Sequence, residues 1–115
     1  MRTVLILFTL LLVSCIKNEP DVVLINRSDI DYDSALIFVS EANQTVFRNV
    51  KIDSRHAGSI RFDTTVIGDG CYQLEVYNKG ELKHQKCFGY YTNGASLNRS
   101  FEIEIQKDSV LIEMN

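Results

Sequence analysis

Three carboxylates alternate along Asp29-Ile30-Asp31-Tyr32-Asp33, two histidines stand far apart at His56 and His84, and two phenols adjoin a turn in Tyr90-Tyr91-Thr92-Asn93. These are the residues whose types and spacing could do chemistry. Clustered oxygens suit a hard cation such as calcium, which wants several of them. Asp29, Asp31 and Asp33 are therefore the candidate metal ligands, and calcium the single candidate cofactor. The same alternation also describes an acidic, solvated turn between two strands. Neither His56 nor His84 has a second histidine at zinc-site spacing. Asp53, Ser54 and His56 are too close along the chain for a triad, whose base must reach across to its nucleophile. The chain holds no Gly-x-Ser-x-Gly elbow, no phosphate-cradling glycine loop and no framed pair of catalytic carboxylates. The expectation is a protein that is not an enzyme.

The stretch Phe88-Gly89-Tyr90-Tyr91-Thr92-Asn93-Gly94 is the best surface candidate. A tyrosine offers a rigid apolar face and a polar tip, which suits capture of a protein or glycan. Tyr90, Tyr91 and Asn93 are the candidate partner-binding residues. Neighbours in a strand point opposite ways, so one of the two tyrosines is also a candidate for the core.

The elements that must position these residues are short β-rich runs. They span Val22–Asn26, Ala35–Ser40, Thr45–Ile52, Ser59–Val66, Cys71–Tyr77, Glu81–Tyr91, Leu97–Lys107 and Val110–Met114. Turn chemistry separates them, as at Gly68-Asp69-Gly70 and Asn78-Lys79-Gly80. No window keeps a 3.6-residue period. Eight short strands at this spacing predict an all-β, two-layer antiparallel sandwich of seven or eight strands. Leu97, Arg99, Phe101, Ile103 and Ile105 take one face of a half-buried strand, with Asn98, Ser100, Glu102, Glu104 and Gln106 on the other. Val50, Ile52, Ile60, Phe62 and Val66 are expected to point inward. Val22–Ile25 and Ala35–Val39 are apolar on both faces and should lie centrally.

The amino end has its own logic. Met1-Arg2 is basic, Val4–Val13 is apolar apart from Thr9, and Leu12-Val13-Ser14-Cys15 follows. This layout resembles the signal and lipobox of bacterial lipoproteins. The apolar run is too short to span a bilayer as a helix, which takes about 20 residues. The resemblance implies a signal peptide over 1–14, an acylated Cys15 as first mature residue, a tether over 15–20 and a sandwich domain over 21–115. Several acyl chains hold a protein to a bilayer where one binds marginally. Ile16 is not the Asp associated with inner-membrane retention, so the resemblance implies the outer membrane, facing periplasm or surface.

Removing the signal takes away one of the 12 basic residues and none of the 15 acidic ones, so the formal charge of −3 becomes more negative by one. With no Lys/Arg run, nucleic acid is not an expected partner. Export also bears on the 3 cysteines. If Cys15 is acylated, Cys71 and Cys87 remain in an oxidising compartment, where a disulfide persists. Free thiols, or a catalytic cysteine served by His84, are the alternatives. Reading Asn78-Lys79-Gly80 as a three-residue loop, with Gly80 left-handed, sets Tyr77 opposite Glu81 and Glu75 opposite Lys83. Gln73 then faces Gln85, and Cys71 faces Cys87.

Two weaker resemblances concern the fold and the metal. Ile60-Arg61-Phe62-Asp63 followed by Gly70-Cys71-Tyr72-Gln73-Leu74-Glu75-Val76 resembles a piece of transthyretin-like and carboxypeptidase-regulatory-like sandwiches; immunoglobulin-like domains carry similar stretches. It implies a fold and no activity. The segment from Asp29 resembles the start of an EF-hand loop, with Leu36 at its apolar position. It departs at Ser34, where glycine makes the turn, and at Ser40, where the bidentate Glu belongs. The expected function is a membrane-anchored, non-catalytic binding or structural module of the bacterial cell envelope. Its partners would be the lipid bilayer, through Cys15, and an envelope protein or glycan. An inhibitor or immunity-type protein blocking a periplasmic enzyme is the alternative, and a calcium-dependent glycan binder the third.

Overall fold

A computed structural model describes residues 21–40, 43–60, 65, 67–93, 95–96 and 100–114. The expectations for the signal, Cys15, the tether, Phe62, Val66, Leu97 and Arg99 lie outside them. Among the described residues nine strands form: β1 Val22–Asn26, β2 Tyr32–Ser40, β3 Asn43–Val50, β4 Arg55–Gly58, β5 Asp69–Asn78, β6 Glu81–Thr92, β7 Ala95–Ser96, β8 Phe101–Ile105 and β9 Val110–Met114. Apart from the two-residue β7, these are the eight strands of a two-layer sandwich. One sheet runs β4-β1-β8-β9 and the other β3-β2-β5-β6-β7. Pairing is antiparallel except between β1 and β8, which are parallel. Among the described residues no helix is long and apolar enough to cross a membrane.

The core forms where the period-two patterns of the two sheets meet. Val22 and Leu24 of β1 and Phe101, Ile103 and Ile105 of β8 face Ala35 and Ile37 of β2 and Tyr72, Leu74 and Val76 of β5. Both apolar runs, β1 and β2, lie centrally, with strands on either side. At one end Tyr72 packs its ring against Phe88, Tyr91 and Phe101, with centroids 5.7–5.8 Å apart. Close approach of this cluster depends on Gly89. It takes a left-handed φ of 67°, and a β-carbon there would stand 2.7 Å from the Phe101 ring.

The other end is held by polar groups. Asn26 is fully buried. Its amide donates to the carbonyls of Ile30 and Val50 at 3.0 and 2.8 Å. Its side-chain oxygen accepts from the Ser28 backbone N–H and hydroxyl at 3.0 and 2.6 Å. Burial of a polar group is tolerated here because every bond is made.

Three expectations are corrected. The β5–β6 loop has two residues, Lys79 and Gly80, both with positive φ (52° and 76°), as a primed hairpin turn requires. Asp33 accepts the Lys79 N–H at 2.5 Å. Asn78 therefore faces Glu81 and, past a bulge at Lys83, Glu75 faces Gln85 and Gln73 faces Cys87. The expected Glu75–Lys83 pair does not form; Lys83 binds Glu81 at 2.9 Å instead. Most of the run expected over Ser59–Val66 lies outside the described residues, and a strand that was not expected forms at Arg55–Gly58. Pairing with β1 overrides the polar composition of that segment. Ile60 is still buried, but Ile52 is 45% exposed. Left-handed Asn49 and Asp53 (φ 54° and 62°) turn the chain around Val50 and carry Ile52 outward.

Candidate functional site

The disulfide links Cys71 and Cys87 across β5 and β6 with the α-carbons 5.7 Å apart, inside the ordinary range for a bridge. The two are not directly opposed. Cys87 pairs with Gln73, and Cys71 lies one step along the diagonal, beside the bulge formed by Gly89 and Tyr90. Both sulfurs lie on the outer face of the five-stranded sheet, where Cys87 is exposed. That face also carries Leu36, Phe38, Val46 and Tyr77, opposite the buried side of the same strands.

The three aspartates do not converge. Asp31 accepts the Ile52 N–H at 2.8 Å, and Asp33 accepts the Lys79 N–H. Asp29 stands 3.9 Å from the Lys107 ammonium. Each thus ties β2 or its approach to a different turn. Among the described residues no group of three or more His, Cys, Asp or Glu side chains is placed to hold a metal ion.

The tyrosine turn divides in the same way. Tyr90 is 52% exposed. Tyr91 packs inward on Tyr72, and its hydroxyl lies where a β-carbon on Gly70 would clash, at 2.6 Å. That explains the glycine before the Tyr72-Leu74-Val76 alternation. Asn93 clamps the turn before β5: its N–H donates to Gly68 at 2.9 Å, and its side-chain oxygen accepts from the Gly68 N–H at 3.0 Å. This clamp holds out Ile67, which is 93% exposed. Sequence reasoning overlooked Ile67, although an isoleucine beside Gly68-Asp69-Gly70 was the available signal.

His56 lies 3.0 Å from the Ser54 hydroxyl. Ser54 gives its proton to the Lys51 carbonyl at 2.6 Å, which engages the hydroxyl in holding the turn. His84 lies 3.1 Å from the Tyr32 hydroxyl. Burial lowers its pKa below the usual 6.5, against an opposing pull from Asp108. On the outer face of the four-stranded sheet, Glu102, Glu104, Leu111, Ile112 and Glu113 line an open hollow of about 320 Å³. Glu102 and Glu113 face each other directly, a pairing that weakens the sheet slightly. Compared with known proteins, the chain matches no family model, no curated protein sequence and no solved structure.

Proposed function

We propose that the chain is a lipid-anchored lipoprotein of the bacterial outer membrane, serving as a non-catalytic binding or structural module in the cell envelope. The observation that carries this reading is the Cys71–Cys87 bridge, whose Cys87 side is exposed. An exposed disulfide persists outside the reducing cytosol, and export is what the lipobox at Leu12-Val13-Ser14-Cys15 implies. The polar groups that could have done chemistry support the absence of catalysis. Asp31, Asp33, Ser54 and Asn93 each hold a turn in place.

Strand order favours the transthyretin-like form of sandwich over the immunoglobulin-like one. An immunoglobulin-like domain keeps its first two strands in one sheet. Here β1 and β2 lie in opposite sheets. An inhibitor would present the Tyr90–Asn93 turn to its enzyme; with Tyr91 and Asn93 turned to structural use, Tyr90 and Ile67 are the exposed contacts it would have there. Crosslinking and pull-down from membranes of the native cell, with the anchor intact, tests the module reading. Recovery of envelope proteins or glycan is expected, and recovery of a single periplasmic hydrolase would favour the inhibitor instead.

A further inference from the structure

The Cys71–Cys87 bridge has two unlike sulfurs. Cys87 is exposed and Cys71 half-buried. Cys71 sits inside the five-stranded sheet, on β5 between β2 and β6. Cys87 lies on β6 where that strand has no outer neighbour among the described residues, because β7 pairs only with Tyr91 and Thr92. A thiolate displaces sulfur from sulfur in line, approaching the attacked atom from the side away from its partner, so access decides which sulfur is taken. The line to Cys87 comes in from the open edge of β6. The line to Cys71 comes in from the side of β2, which pairs with β5 as far as Phe38 and Gln73. Across from Cys87 on the outer face is Gln73, and two residues back along its own strand is Gln85. Both are uncharged, so an incoming anion meets no carboxylate directly beside the sulfur. The Gln73 amide donates to the Cys71 sulfur at 3.9 Å, which favours negative charge on that atom.

We infer that the bridge is a site of thiol–disulfide exchange, attacked at the Cys87 sulfur, and that its reaction partner is an exposed dithiol of another protein. In the first step the partner's thiolate bonds to Cys87 Sγ and the Cys71–Cys87 bond breaks. Its electron pair leaves on Cys71 as a thiolate, which takes a proton from water. In the second step the partner's other thiol loses its proton and attacks the partner's own sulfur in the mixed disulfide, freeing the Cys87 thiolate. The dithiol is oxidised to a disulfide and the bridge is reduced to two thiols, two electrons passing in all; the reverse sequence restores the bridge. The fold can carry this cycle. Neither cysteine belongs to the buried apolar core, and β5 pairs with β6 on both sides of the bridge, from Asp69 with Thr92 to Asn78 with Glu81. Exposed bridges are the ones open to such exchange, whereas buried ones are reached only through opening of the fold. The inference goes beyond the module reading and needs the bridge alone, not the acyl anchor.

The test uses the oxidised, folded full-length protein. The probe is a thioredoxin-type protein whose resolving cysteine is replaced by serine, so that the reaction stops at the mixed disulfide. After a short incubation, free thiols are capped with N-ethylmaleimide and the linked peptides are identified by mass. Linkage to Cys87, with the cap on Cys71, should exceed the opposite arrangement at least about tenfold. In urea-unfolded protein, where both sulfurs are equally open, the preference should fall to within about twofold. Equal linkage in the folded protein, a majority at Cys71, linkage only once the chain is unfolded, or a preference that persists in the unfolded chain would each overturn the proposal.

Discussion

At the scale of residues, the side chains with chemical promise hold turns. Asn26 is the clearest case, because four hydrogen bonds meet on one buried amide. Asn26→Ala takes this partner from the Val50 carbonyl and the Ser28 N–H, while the Ile30 carbonyl keeps the Ser28 hydroxyl, and each buried unsatisfied group costs roughly 1–3 kcal/mol. We expect a loss of about 4 kcal/mol in urea unfolding; a loss under about 1 kcal/mol would show that water replaces the amide. Gly89→Ala sets a β-carbon against Phe101 at a left-handed φ. Strain and overpacking together should cost about 3 kcal/mol, read as a lower melting temperature. The sequence showed Asn26 as an ordinary strand-end residue. Nothing local reveals that Val50 would arrive beneath it from 24 positions away.

Among the elements, legibility followed the strength of the side-chain pattern. β1, β2, β5, β8 and β9 could be read from apolar alternation or apolar runs, because burial on one or both faces leaves that signature. β4 could not, because an edge strand paired only to β1 needs no apolar residues of its own. The β5–β6 register was missed by one residue at the turn. Lys79 accepts a positive φ that sequence reasoning reserved for Gly80, and the Asp33 contact to its N–H comes from another strand. The disulfide survives this shift because Cys71 reaches Cys87 along the diagonal at a bulge. Reducing it, or making the double variant Cys71→Ser/Cys87→Ser, releases a loop of sequence separation 16. The loss should be about 3 kcal/mol in the chain-entropy model. An unchanged denaturation midpoint would mean that the paired strands already supply that order. The Lys79 turn makes a further prediction: Lys79→Gly relieves a left-handed non-glycine and should be neutral or slightly stabilising, whereas Lys79→Val should destabilise by about 1 kcal/mol or more.

For the whole molecule, the two sheets close on one core and leave two outer faces. The seam between β6 and the β8–β9 turn should respond to pH through His84, which touches Tyr32 and feels Asp108. Its folded pKa is lowered, so folding favours the neutral ring. Stability should be full above about pH 6.5 and should fall as pH drops below it, because the unfolded chain takes up the proton first. His84→Gln should flatten that slope in urea midpoints taken between about pH 7 and 5; an unaltered slope would assign it to other groups. The fold class could be read from strand spacing, but the partition of β1 and β2 into opposite sheets could not, since it depends on contacts far apart along the chain. Anchoring is a proposal that rests on the resemblance at Leu12–Cys15. On that proposal the exposed Cys71–Cys87 bridge would lie outside the cytosol. Mass spectrometry of the N-terminal peptide from the native cell tests that setting most directly. The account predicts a chain that begins at Cys15, carries acyl groups there and retains the Cys71–Cys87 link. A chain beginning at Met1, with Cys15 unmodified and both later thiols free, would contradict it.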